Sequence, residues 1–266
     1  MTDMTLTSDI CEIITKYIQK PRYELLEWID INKLDIENMS ANPNAIDIII
    51  KNQDKINWDL LSVNTAAIEL LKENEDKINW MVFSTNTAAI ELLRKNQDKI
   101  DWDSLSKNPA AIELLKENQD KINWELLSTN EEAIDLLKEN PDKIYWKWLS
   151  KNKNAIELLK ENPDKINWEL LSFNEGAIEL LRENPDKIDW KWLTINPAAI
   201  ELLKENQDKI NWGLLTLNEG AIELLRENQD KINWCWLSSN PSIFKKIDDD
   251  KNKEIIQKTL EILLIN

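Results

Sequence analysis

The residues of this chain best suited to chemistry are carboxylates standing in a row. Asp54, Asp76, Asp98, Asp120, Asp142, Asp164, Asp186, Asp208 and Asp230 recur every 22 residues. Paired carboxylates can act as general acid and base, or gather a cation, if they converge in space. Units of a stacked array lie roughly 8–10 Å apart, too far for two such carboxylates to share one ion. Turn bonding and capping are therefore the expected roles of this row. The other reactive residue types are scarce. His is absent, which removes the commonest general base and metal ligand. Cys11 and Cys235 are too few for a thiolate metal site or a dyad. Neither a glycine-rich dinucleotide loop nor a phosphate loop occurs. The chain is expected to be no enzyme and to take no cofactor and no metal.

The elements that carry the Asp row repeat with it. Trp58, Trp80, Trp102, Trp124, Trp146, Trp168, Trp190, Trp212 and Trp234 share its spacing, and so do the Asn residues from Asn52 to Asn228. Nine full units follow one another: 43–64, 65–86, 87–108, 109–130, 131–152, 153–174, 175–196, 197–218 and 219–240. Each opens after an Asn, a favoured N-cap, and Pro43, Pro109, Pro197 and Pro241 follow at a position that tolerates proline. An acid such as Glu113 lies near the positive end of the helix dipole. The Ala-Ile-x-Leu-Leu run then places its apolar groups on one face. This first helix is expected to run for about nine or ten residues. Pro141, Pro163 and Pro185 each follow an Asn and argue for a break. Beyond it comes a shorter helix with the Trp and Leu, for which α and 3₁₀ both remain open. Neither helix would be stable alone in water, so stability must come from stacking. The fold expected is an all-α solenoid.

Outside the nine units the pattern wears away. Ile10, Ile13, Ile14, Tyr17 and Ile18 mark an amphipathic helix within residues 1–20. Residues 21–42 read as a degenerate repeat with Ile36 in the Trp place. After Asn240, Pro241 to Phe244 keep a helix start, residues 248–252 read as a polar turn, and residues 253–264 as a last amphipathic helix. The division is thus an N-terminal helical cap (1–42), the array (43–240) and a C-terminal helical cap (241–266), with worn outer faces turned to water. Cys11 and Cys235 would lie at opposite ends of the resulting rod, which makes a disulfide between them improbable.

Formal net charge is −16, from 49 acids against 33 bases, and the excess is spread evenly along the units. Such a surface repels nucleic-acid phosphates and suits a basic or mixed protein partner. No apolar run long enough to span a membrane exists, and no secretory signal opens the chain. A reducing, cytoplasmic setting is expected, as a monomer or with weak self-association.

The motif N-P-x-A-I-x-L-L-x-x-N-x-D-K-I-x-W-x-x-L-S, ending in Leu237-Ser238-Ser239-Asn240-Pro241-Ser242-Ile243-Phe244, resembles the short tandem repeats abundant in giant viruses of amoebae. The resemblance covers roughly residues 22–247. It implies a viral protein in host cytoplasm, or a virion component, and no activity. One departure is that some of those repeats carry His after the Ala-Ile pair, where this chain has Glu or Asp. Leu6, Thr7, Ser8, Asp9 and Ile10, with Ile14 and Ile18, resemble the first helix of an F-box, although the usual Pro is missing. That resemblance implies a ubiquitin-ligase adaptor. Self-assembly through the rod ends, as an architectural virion protein, is a third reading.

Functional candidates lie where the units differ. The Trp row has the regularity of a structural ladder, expected to pack between layers with each indole N–H paired. Its replacement by Ala is expected to cost about 3–5 kcal/mol per site. The position two after each ladder Trp and the position before each cap Asn vary instead. They collect Trp148, Phe173, Trp192, Ile195, Leu217 and Trp236, a candidate partner-binding patch. Residues 153–196 and 197–240 match at 33 of 44 positions, so duplication accounts for the alternation of Trp equally well. The leading functional reading is a non-catalytic scaffold that binds a protein partner.

Overall fold

The computed structural model describes residues 22–248, 250–252, 254 and 258. Cys11, the amphipathic segment in residues 1–20, the F-box resemblance and most of the helix expected over 253–264 lie outside these residues.

Each unit folds as four short pieces, as residues 109–127 show. Pro109–Ala111 form a 3₁₀ opening turn, Ile112–Glu117 an α-helix, Gln119–Lys121 a second 3₁₀ turn and Trp124–Leu127 a second α-helix. Local bonds set these boundaries. Asn108 Oδ1 accepts from the Ala110 N–H at 3.0 Å, so the cap starts a tight turn before the α-helix begins. Asn118 Nδ2 donates to the Leu114 carbonyl at 2.9 Å and closes the first helix. Asn123 Oδ1 accepts from the Leu126 N–H at 3.1 Å and opens the second. The i→i+4 bonds from the Leu127 N–H to the Asn123 carbonyl at 2.8 Å and from the Ser128 N–H to the Trp124 carbonyl at 3.1 Å settle it as α. The expectation for the Asp row changes accordingly. Asp120 and its equivalents lie exposed within the second turn, while the flanking Asn side chains do the capping.

Two polar ladders hold the units together. Asn108 Nδ2 donates to the carbonyls of Ser84 at 3.0 Å and Asn86 at 3.1 Å, both in the preceding unit. The same pair of bonds recurs at Asn64, Asn86, Asn130, Asn152, Asn174, Asn196, Asn218 and Asn240. These carboxamides are at most 2% exposed, and each uses both its donors and its acceptor. In the second ladder, Ser106 Oγ donates to the Trp102 carbonyl at 2.8 Å and accepts the Asn123 N–H of the next unit at 3.0 Å. Thr194 and Thr216 serve in the same way. Between the ladders, Ala111, Leu115, Leu127 and their equivalents are fully buried and form the apolar core. Neighbouring opening turns and second helices lie closer together than neighbouring first helices, so the first helices follow the longer, outer path.

The array expected to be a rod closes on itself. Asn42 Nδ2 donates to the carbonyls of Ser238 at 3.2 Å and Asn240 at 3.0 Å, the bonds every other cap Asn makes to its predecessor. The Asp35 N–H donates to Ser238 Oγ at 2.7 Å, which continues the Ser ladder across the seam. Lys33 lies over the Trp234 ring at 4.8 Å. Asn44 Nδ2 donates to the Pro241 carbonyl at 3.0 Å, as Asn154 does to that of Glu131 at 2.9 Å. The tenth layer is therefore composite: Pro241 supplies its opening turn from one end of the chain, and Ile31–Lys33 with Ile36–Met39 supply its second half from the other. Asp30–Ser242 thus form a closed ring of ten layers, each turned by about 36° from the last.

This closure corrects the expectation that residues 1–42 and 241–266 cap the array with faces turned to water, for the part of them within Asp30–Ser242. Residues 30–42 bond to Ser238 and Asn240 instead, because the worn unit keeps Ser40 and Asn42, the two residues the ladders require. Cys235 likewise does not sit at a far end; its neighbours are Asp35 and Asn38.

The described residues within Met1–Ile29 and Ile243–Asn266 belong to a second unit. In it, strand β1 (Tyr23–Leu25) pairs antiparallel with β2 (Phe244–Lys246), and the Leu26 N–H to Ile243 carbonyl bond and the Ile247 N–H to Arg22 carbonyl bond flank the pair. Phe244 is thus in a strand rather than a helix, since pairing satisfies backbone groups for which a broken repeat offers no helix. Asp248 Oδ1 accepts from the Lys251 N–H, and Asp250 to Asn252 are already helical, so the expected polar turn is the start of a helix.

Replacing Asn108 by Ala strips two buried carbonyls and one N–H of their partners, at about 1–3 kcal/mol per group. Asn118→Ala removes one half-buried cap bond, worth about 1 kcal/mol. Chemical denaturation of the two variants should show a loss at Asn108 at least twice that at Asn118; equal losses would contradict the ladder.

Candidate functional site

Trp148, Phe173, Trp192 and Trp236 sit on the second helices, Ile195 is the C-cap of its helix, and Leu217 lies two residues beyond Leu215, where its helix ends. The position two after the ladder Trp and the position before the cap Asn are three residues apart, so they share one helix face. In the unit ending at Asn152 these positions are Trp148 and Lys151, in the next Leu170 and Phe173, and in the next Trp192 and Ile195.

The structure brings part of the expected patch together. Phe173 and Trp192 meet edge to face, with centroids 6.2 Å apart at 82°, a geometry in which the positive edge of one ring meets the negative face of the other. Lys151 lies over the Phe173 ring at 4.4 Å. The Trp148 and Trp192 indoles are tethered: their N–H groups donate to the carboxylates of Glu125 and Glu169 in the preceding units, the latter at 3.0 Å. Both rings are half-buried. Leu217 and Trp236 are open, at 41% and 42% exposed, and Ile195 is half-buried.

Beside this row lies a depression of about 300 Å³ lined by Lys107, Thr129, Lys151 and Phe173, with Glu131, Lys153 and Glu175 at its edge. Lys153 pairs with Glu131, whose hydrogen bond raises its pKa. Lys151 is pulled below the usual lysine range, first by burial and then by the Lys107 ammonium. A folded-state value below the unfolded one makes this charge a cost to the fold at neutral pH, and the cost disappears as pH rises from the folded through the unfolded value. In a chain with net charge −16, the depression has a small positive excess, three Lys against two Glu.

The chain matches no family model, no curated protein and no solved structure. Among the described residues, no cluster of three or more His, Cys, Asp or Glu side chains is placed to hold a metal, and no helix is long and apolar enough to cross a membrane.

The ladder Trp residues differ from expectation. They are half-buried rather than enclosed; eight of them carry on one face the Lys found 19 residues later, and Trp234 carries Lys33. Lys121 lies 4.4 Å from the Trp102 ring and Lys143 4.3 Å from that of Trp124; the other pairs span 3.9 to 5.3 Å. Lys recurs at the Trp spacing from Lys55 to Lys231, and spacing alone leaves open which layer each side chain reaches. A half-covered ring loses less on removal than a core ring, so Trp124→Ala is expected to cost about 2–3 kcal/mol in denaturant melts rather than the full core value. A second outcome concerns Lys151. Lys107→Gln removes only the smaller cause of its shift, so NMR titration should show its pKa rising while staying below that of an exposed lysine.

Proposed function

We propose that this protein is a non-catalytic ring scaffold that binds a protein partner through Trp148, Phe173, Trp192, Ile195, Leu217 and Trp236. The observation that carries the reading is the contrast within each layer. Positions that make the ladders are held nearly constant around the ring, whereas apolar and aromatic deviations gather on one face of neighbouring second helices. Rigid aromatic side chains with tethered indoles lose little freedom on binding, which suits them as anchors. The acidic remainder of the surface favours a partner with a basic or mixed rim. The resemblance of the repeat to giant-virus repeats supports a host or viral protein as partner and the host cytoplasm as the setting. End-to-end self-assembly gains no support from the fold, because the two terminal half-layers bond each other.

A Trp148→Ser/Trp192→Ser/Trp236→Ser variant should keep the ring, read as an unchanged far-ultraviolet spectrum, and lose the partners that the parent retains from host lysate. Identical partner lists for the two proteins would remove the aromatic face from the account.

A further inference from the structure

The Trp–Lys ladder has one gap, and the gap has the properties of a binding slot. In nine layers a Lys lies over an indole supplied by the preceding layer. In the remaining layer the Trp position is Ile36, and Lys55 stands where the covering ammonium belongs. Among the described residues Lys55 has no ring beneath it and no ion pair. The space is a depression of about 430 Å³ lined by Ile31, Leu34, Ile36 and Lys55, with Asp35 and Glu37 at its rim.

A second departure falls in the same layer. The position of Ile31 holds Gln, Glu or Pro in every other unit, as Gln53, Glu75 and Pro141 show. Here it is an aliphatic side chain 43% exposed. The layer that lost its own indole thus gained an apolar wall beside the vacancy. If Ile36 merely filled the Trp place less well, nothing would favour an exposed Ile at the neighbouring position.

We propose that this slot receives a tryptophan side chain of a partner protein, which completes the ring of indole–ammonium pairs in trans. The occupant's chemistry is set by complementarity. The Lys55 ammonium meets the negative face of an aromatic ring, the aliphatic floor takes its other face, and Asp35 and Glu37 at the rim can receive an indole N–H. The proposal rests on the broken repeat, independently of the aromatic face on the second helices.

The test uses the full chain with labelled isoleucine methyl groups and N-acetyl-tryptophanamide as probe. The Ile31 and Ile36 resonances should shift saturably, as ring currents require, while N-acetyl-leucinamide leaves them unmoved. A glycine-flanked pentapeptide with one central Trp should produce the same shifts. Lys55→Met should weaken binding about two- to fivefold. Ile36→Trp should fill the slot, abolish the response at Ile31 and leave the melting temperature equal or higher. No saturable shift in the parent, an undiminished response in Ile36→Trp, or binding of the free amide without the peptide would overturn the proposal.

Discussion

A buried carboxamide underlies this architecture. Between layers whose helices are four to six residues long, the backbone cannot satisfy its own termini, and every short helix leaves orphan carbonyls and N–H groups. Asn at the cap position serves three of them at once: its oxygen starts its own turn while its nitrogen reaches two carbonyls of the layer before. Asp would bring a buried charge and no donor, and Ala would leave all three groups bare. Because each Asn donates in one direction only, an open stack would end with idle carbonyls on one face and an idle carboxamide on the other. Closure through Asn42 removes both ends.

The remaining forces divide by position. Ala, Leu and Ile between the ladders provide the apolar burial that drives collapse, and the Ser and Thr hydroxyls fix where each second helix starts. Outside, pairs such as Lys116–Glu113 and Arg94–Glu117 are well exposed and contribute little. The Trp–Lys pairs lie between these regimes. Each links two layers through a half-covered ring, and their alignment across the seam at Trp234 and Lys33 shows the tenth layer seated in the same register as the others.

Much of the layer was legible in the sequence, because its caps and breaks are local. Asn before Pro, the acid in the first turn and the Asn-Pro break each act within a few residues. Closure was not legible, because it depends on which surfaces meet across the length of the chain. Its trace was present all the same: residues 21–42 surrendered the Trp yet kept Ser40 and Asn42, the two side chains a seam needs. The paired strands escaped notice because Tyr23–Leu25 and Phe244–Lys246 are too short to announce themselves without each other. At the candidate surface, the deviating residues could be named in advance from their failure to repeat. The tethering of Trp148 by Glu125 could not, since a bond across layers depends on orientation that spacing alone leaves open.

The seam also bears on how such a gene can change. Similar tandem segments, such as 153–196 and 197–240, invite unequal recombination, and an open solenoid absorbs the gain or loss of a copy as a change in length. Here an added or deleted copy would alter the angle at every joint and pull Asn42 away from Ser238 and Asn240. Closure therefore ties the ring to nine full copies and one composite layer, whereas substitutions within copies leave the joints intact. A lineage carrying this ring should diversify by point change on the second helices while its repeat count stays constant.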